Sequence, residues 1–214
     1  SYDGPLDSYY YGRRPTQPMM PNFRNVHKQE TDFLRGYAST LNASRIEITE
    51  KDGLGENLKT NLLNPKLGLW GVNSSMMAET IPKESSVVKL DKQLVDKYGI
   101  PQLRVSIGYD ENDEKILKDF HEQFSEMYHE AGFKNIQTID TQRLPGNANH
   151  EMGGVRMGKD PKTSLLNKWN QLHSCKNVFV TDGACMTSTS TQNPSLTYMA
   201  LTARAVDYAA KQRF

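Results

Sequence analysis

The sequence is poor in cysteine, in net charge and in long apolar runs, and each shortage removes a class of protein. Its 214 residues hold two cysteines, Cys175 and Cys185. These cannot build a disulfide framework, and neither stands in a CxxC or Cys/His ligand spacing, so no metal site is expected. The 26 Lys and Arg balance 25 Asp and Glu. That argues against a nucleic-acid binder working through bulk phosphate neutralisation. No stretch approaches the roughly 20 apolar residues of a membrane helix, so no membrane span is expected. Ser1-Tyr2-Asp3-Gly4 is neither basic nor apolar, and no signal peptide opens the chain. No Met opens it either, and the native N-terminus is expected elsewhere. The reading is a soluble protein, with cytoplasm and periplasm both left open. A chain with only 36% apolar residues is also expected to lean on a partner surface.

What is present changes character along the chain. Residues 1–25 read as an irregular lead-in, broken by Pro5, Pro15, Pro18 and Pro21. Tyr2, Tyr9, Tyr10 and Tyr11 there serve better as anchors on a neighbouring element than as a platform for a sugar ring. From Phe33 to Gly108 the texture is that of a sheet. Residues 45–49 alternate with period two before a turn signal at Lys51-Asp52-Gly53, and residues 67–72 and 87–90 are shorter candidates. Residues 102–109 alternate most cleanly, with Leu103, Val105, Ile107 and Tyr109 on one side. This predicts an antiparallel or mixed sheet with one covered face. The Gly53-Leu54-Gly55 stretch lacks the third glycine of a dinucleotide fingerprint and carries no weight.

Residues 112–132 predict the strongest helix. Ile116, Leu117, Phe120, Phe124, Met127 and Tyr128 share one face, Asp110 or Asn112 can cap it, and Gly132 ends it. It should cover a face of the sheet, with His121 and His129 on the surface. The fold class is therefore α+β.

The last seventy residues differ again. A glycine-rich loop around Pro145-Gly146 and Gly153-Gly154 carries one histidine, His150. Residues 177–181 predict a short buried strand running into Asp182-Gly183. Asn193 and Pro194 suit the cap and first turn of a final helix reaching about Gln212. Leu196, Met199, Ala200, Ala203, Val206 and Ala210 give that helix a face of mostly small residues, suited to close packing.

Three blocks in fixed order, His150-Glu151-Met152-Gly153-Gly154-Val155-Arg156-Met157-Gly158, then Asn177-Val178-Phe179-Val180-Thr181-Asp182-Gly183-Ala184, then Asn193-Pro194-Ser195-Leu196-Thr197, carry a resemblance. They resemble the C-terminal signature of the glucose–methanol–choline (GMC) oxidoreductases, and the likeness extends back to about Asn73. The resemblance implies a GMC substrate-domain-like region with an irregular arm over residues 1–143. Residues 144–214 would then be a strand, loop and helix belonging to an incomplete FAD-binding domain.

The resemblance further implies an FAD enzyme that oxidises a sugar or other alcohol by hydride transfer. His150 matches the family's general base and Asn193 the residue that hydrogen-bonds the substrate oxygen. Asp182 and Gly183 match the turn approaching the ribityl chain, and Pro194, Ser195 and Leu196 match the segment whose amides reach the pyrimidine side of the flavin. A histidine suits the first role, since its ordinary pKa lies near neutrality. Two departures stand out: Gly154 replaces the usual Thr, and the GxGxxG half that grips the ADP of FAD is missing. The implied partners are a small alcohol or sugar and that N-terminal half. The alternatives are a carbohydrate-binding module, or the subunit of a split enzyme, with no redox activity of its own.

Overall fold

The computed structural model describes residues 18–47, 54–64, 67–141, 144–146 and 150–212. The tyrosine-rich stretch through Tyr11, the end of the 45–49 candidate, the Lys51-Asp52-Gly53 turn and residues 147–149 lie outside them. The fold is α+β, with antiparallel sheets and helices.

Three strands form the first sheet: β1 (Met19–Met20), β2 (Tyr37–Glu47) and β3 (Leu67–Ala78), in the order β1-β2-β3 with antiparallel pairing throughout. Tyr37 pairs with Ala78, Ser39 with Met76 and Leu41 with Ser74, so these six side chains share one face. The strands outrun the expected 45–49 and 67–72 because pairing, not alternation, sets their length. Residues such as Ala38, Thr40, Asn42 and Ser44 carry no apolar period, yet each finds a ladder partner. Between β2 and β3 lies α1 (Glu56–Leu63), which the sequence reading missed. It is short, buries no side chain and starts after Gly55 with no side-chain cap.

The helix α2 (Glu111–Glu130) covers the face just described, as expected. Ile116, Phe120 and Phe124 join Phe33 and Tyr37 in the core, with Met20, Met76, Ala78, Met127 and Tyr128 packed around them. Tyr37 meets Phe120 edge-on at 5.5 Å between ring centroids. The start of α2 is a reciprocal capping box: Asp110 accepts from the amides of Asn112 and Asp113, and Asp113 accepts from the Asp110 amide. Asn112 is therefore not the cap; its side chain instead brackets the backbone of Leu34. Lys83 donates to Asp110 and Asp113, and it holds the Asp110 carboxyl below the usual carboxylate range. Gly132, at φ +80°, turns the chain away.

A partly buried polar triad ties the arm before β2 to this helix. Arg24 donates two 2.8 Å bonds to Asp119, and the Tyr37 hydroxyl donates to the same carboxylate at 2.6 Å. Burial, with Asp119 beside it, pushes the Tyr37 phenol well above its ordinary 10.0. A folded pKa raised in this way contributes stability that is whole below pH 10 and lost as the pH rises toward the folded value. Stability should thus fall from about pH 10 upward, with Tyr37 contributing at most one proton's slope, about 1.4 kcal/mol per pH unit. Urea midpoints measured from pH 8 to 12 check this. Tyr37→Phe should lower the plateau and flatten the alkaline limb; an equally steep limb in that variant would exclude Tyr37 as its source.

β4 (Val87–Val95) and β5 (Pro101–Ser106) form a separate antiparallel ribbon. This corrects the expectation of one sheet with a covered face. Val88 pairs with Val105 and Leu90 with Leu103, an apolar face whose four side chains are all 56–69% exposed. Lys89 pairs with Arg104 on the other side. The alternation was read correctly, but among the described residues nothing covers that face. β5 also stops at Ser106, before Ile107 and Tyr109.

Residues 177–181 do not form a sheet strand. A single antiparallel bridge joins Phe179 to Gln171, and a ladder needs neighbours that the described residues do not supply. The closing helix, α3, spans Ser195–Gln212. Its expected packing face is bare, with Leu196 80%, Met199 63% and Val206 60% exposed. The helix instead seats its other side, where Tyr208 stacks on Trp169 at 4.7 Å and meets Phe179 edge-on. Among the described residues no helix is long and apolar enough to cross a membrane.

Candidate active site

The glycine-rich loop and the Asp182-Gly183 turn are laid side by side by backbone bonds. The Val155 amide donates to the Ala184 carbonyl and the Met157 amide to that of Cys185, each at 3.0 Å. Two glycines permit this approach. Gly153 sits at φ +84°, and a Cβ there would lie 3.3 Å from the Thr187 carbonyl oxygen. A Cβ on Gly183 would lie 2.6 Å from the Met152 sulfur and 3.4 Å from the Glu151 carbonyl oxygen. Half-buried His150 is therefore held one residue from a segment packed directly on the turn.

That turn is a single 3-10 segment, Gly183–Cys185, capped by Asp182. The Asp182 carboxylate accepts from the Ala184 amide at 2.9 Å and is otherwise exposed. The hydroxyl of Thr202 on α3 donates to the Thr181 carbonyl at 3.2 Å, fastening the last helix to the residue before Asp182. His173, by contrast, hydrogen-bonds inward to Ser164 and the Gly158 carbonyl. Burial raises the Cys185 thiol above its usual value, as befits a structural cysteine.

The start of α3 differs from expectation by one residue. The amides of Thr197 and Tyr198 both donate to the Pro194 carbonyl, so buried Pro194 holds the cap position and exposed Asn193 precedes it. Among the described residues the Asn193 side chain makes no hydrogen bond. Asn193→Ala should then leave thermal stability within about 0.5 kcal/mol of wild type, as for an ordinary surface substitution. A melting curve checks it; a loss of the size typical of a cap would restore Asn193 to that role. The amides of Ser195 and Leu196 precede the first one with a carbonyl partner and are left at the positive end of an 18-residue helix. His150 and Asn193 share no hydrogen bond among the described residues.

The three blocks are thus assembled in space: the His150 segment lies on the Asp182-Gly183 turn, and that turn lies on α3. The match to the GMC oxidoreductase family model covers residues 82–202, which include all three blocks, β4, β5 and α2. The chain belongs to the GMC oxidoreductase family. It corresponds to the C-terminal part of its members. It is 36% identical over 138 residues to the 2-methyl-1,2-propanediol dehydrogenase of Mycolicibacterium austroafricanum, covering 64% of this chain and 25% of that protein. It is 31% identical over 194 residues to the fructose dehydrogenase large subunit of Gluconobacter japonicus, covering 87% of this chain and 34% of that one. To the 6'''-hydroxyparomomycin C oxidase of Streptomyces lividus it is 30% identical over 106 residues, half of this chain and 19% of the oxidase. The chain therefore spans about a third or less of the length of these relatives.

Sequence reading missed three contributors to the site's geometry. Met152 fills the space beside Gly183, while Asn170 and Arg204 tie the blocks together from behind. A lone charge in the stretch from Ser195 to Val206 was the available signal for Arg204. Gly183→Ala should displace Met152 and cost about 1 kcal/mol, since the Met side chain can yield but the Glu151 backbone is already in contact. Equal melting temperatures for wild type and variant would show that the contact is slack.

Proposed function

We propose that this chain is the C-terminal part of an FAD-dependent oxidoreductase that oxidises the CH–OH group of an alcohol or sugar. Residues 1–143 are its substrate-domain-like region and 144–214 its return to the flavin domain. The observation that supports this most is the packing of the His150 segment on the Asp182-Gly183 turn, which Thr202 fastens to α3. The names of the propanediol and fructose dehydrogenases, both for hydroxylated compounds, agree with it.

The donor set of these blocks suits a flavin. The Ser195 and Leu196 amides at a helix N-terminus suit the electron-rich pyrimidine edge, where negative charge gathers on reduction. The exposed Asp182 carboxylate suits a ribityl hydroxyl, and Gly183 keeps the turn free of a side chain there. Bound FAD would supply the hydride acceptor. His150 would take the hydroxyl proton as the C–H bond breaks, and the exposed Asn193 amide would hold the same oxygen from the other side. Two side chains on one oxygen stand within about two hydrogen-bond lengths, roughly 6 Å.

The test is the full-length protein carrying this chain. It should purify yellow, and its visible absorbance should bleach anaerobically on adding a polyol or sugar from a panel. A colourless protein that gains no colour with added FAD, yet binds sugars, would overturn the redox reading in favour of a carbohydrate-binding module.

A further inference from the structure

Asn170 is fully buried and lies at φ +61°, in the left-handed region that asparagine tolerates better than most residues. It grips the segment leading into Asp182 twice. Its side-chain amide donates to the Val180 carbonyl at 3.0 Å, and its own carbonyl accepts from the Val180 amide at 2.9 Å. The same side chain faces the Cys185 thiol and offsets part of the rise that burial gives its pKa. Asn170 therefore holds Val180, two residues before Asp182, and lies beside Cys185, two residues after Gly183. Its remaining oxygen accepts from Arg204 of α3 at 3.4 Å, and that guanidinium also reaches the Met157 sulfur at 3.8 Å and lies over the Trp169 ring. One buried amide thus joins all three blocks: the His150 segment through Arg204 and Met157, the segment entering the turn through Val180, and α3 through Arg204.

We propose that Asn170 is a positioning residue that sets the Asp182-Gly183 turn at the height and angle required to meet the flavin. The inference rests on the FAD reading above. Gln171 beside it provides the control. It is almost equally buried, but its amide donates to the Lys176 carbonyl and accepts from Asn167, and its side chain reaches nothing from Val180 to Cys185.

The experiment compares Asn170→Gly and Gln171→Met in the full-length flavoprotein. Glycine keeps the left-handed backbone and removes only the amide. Asn170→Gly should weaken FAD retention about tenfold and speed hydrogen exchange of the Ala184 and Cys185 amides by a similar factor, the worth of one buried amide's bonds. Gln171→Met should lose comparable thermal stability with FAD affinity and those two exchange rates unchanged. Should Asn170→Gly fail to fold, Arg204→Met strips the amide's other partner and should weaken FAD retention about threefold. The proposal is overturned if the folded Asn170 or Arg204 variant holds FAD as wild type does, or if Gln171→Met loosens it equally. A wild-type protein that binds no FAD sinks the functional reading itself and this inference with it. A yellow wild type with indifferent variants sinks this inference alone.

Discussion

In the full-length enzyme, His150→Ala should slow substrate-dependent bleaching of the flavin by roughly 10²–10⁴-fold, the usual worth of a general base. An alcohol holds its proton far too tightly to release it near neutral pH, so a C–H bond leaving as hydride must be matched by a base at the oxygen. Histidine is the side chain whose ordinary pKa allows this without much tuning. The structure narrows the candidates. His27 is exposed in the segment before β2, His121 and His129 lie on α2, and His173 is committed to Ser164 and Gly158. His150 alone stands next to the segment packed on Gly183. The variant should keep its flavin and its melting temperature, because neither the backbone bonds of Val155 and Met157 nor the Met152 contact involve the imidazole. Its loss should fall on the maximal rate more than on substrate affinity, since the proton moves only in the transition state. A variant that bleaches at the wild-type rate would remove His150 from the chemistry.

The sequence carried α2 almost residue for residue. Its apolar spacing and the Asp110–Asp113 pair each dictate a helix locally, and tertiary packing agrees with both. β2 and β3 were only half visible. Runs such as Ala38-Ser39-Thr40 have no period, and the long pairing that orders them is a non-local fact. The ribbon of β4 and β5 shows the opposite failure. Its alternation is plain, but alternation says that a face is apolar and not that a neighbour is present to cover it. The same holds for α3, whose face through Leu196, Met199 and Val206 is bare. The blocks that hold His150, Asp182 and Asn193 were legible because they form a family pattern, and the roles proposed for those residues rest on that resemblance. Asn170 was not, because an asparagine in a polar turn has no period or motif to mark it; only the folded chain brings its amide to Val180 and Arg204.

Those bare faces bear on the second large expected effect: the 214-residue chain alone should bind FAD with a dissociation constant weaker than about 1 µM. Affinity at that level needs roughly −8 kcal/mol after the costs of ordering ligand and loops. In dinucleotide sites much of this comes from the pyrophosphate, seated on a glycine-rich turn at a helix N-terminus. The sequence contains no GxGxxG, and the contacts proposed here reach only the ribityl chain and the ring. Those contacts are also open to water. Asp182, Ser195 and Leu196 are exposed, and charge-assisted bonds at exposed positions weaken under solvent and salt. Adding the ADP-gripping half that the proposed function implies, as a covalent extension or as a separately expressed half, should tighten binding by several orders of magnitude. It should also bury the α3 face, read as protection of the Met199 side chain from oxidation by peroxide. Isothermal titration of the chain with FAD, with and without the other half, measures both states. Sub-micromolar binding by the chain alone would mean that these 214 residues carry a phosphate grip of their own, and the division of labour argued here would be wrong.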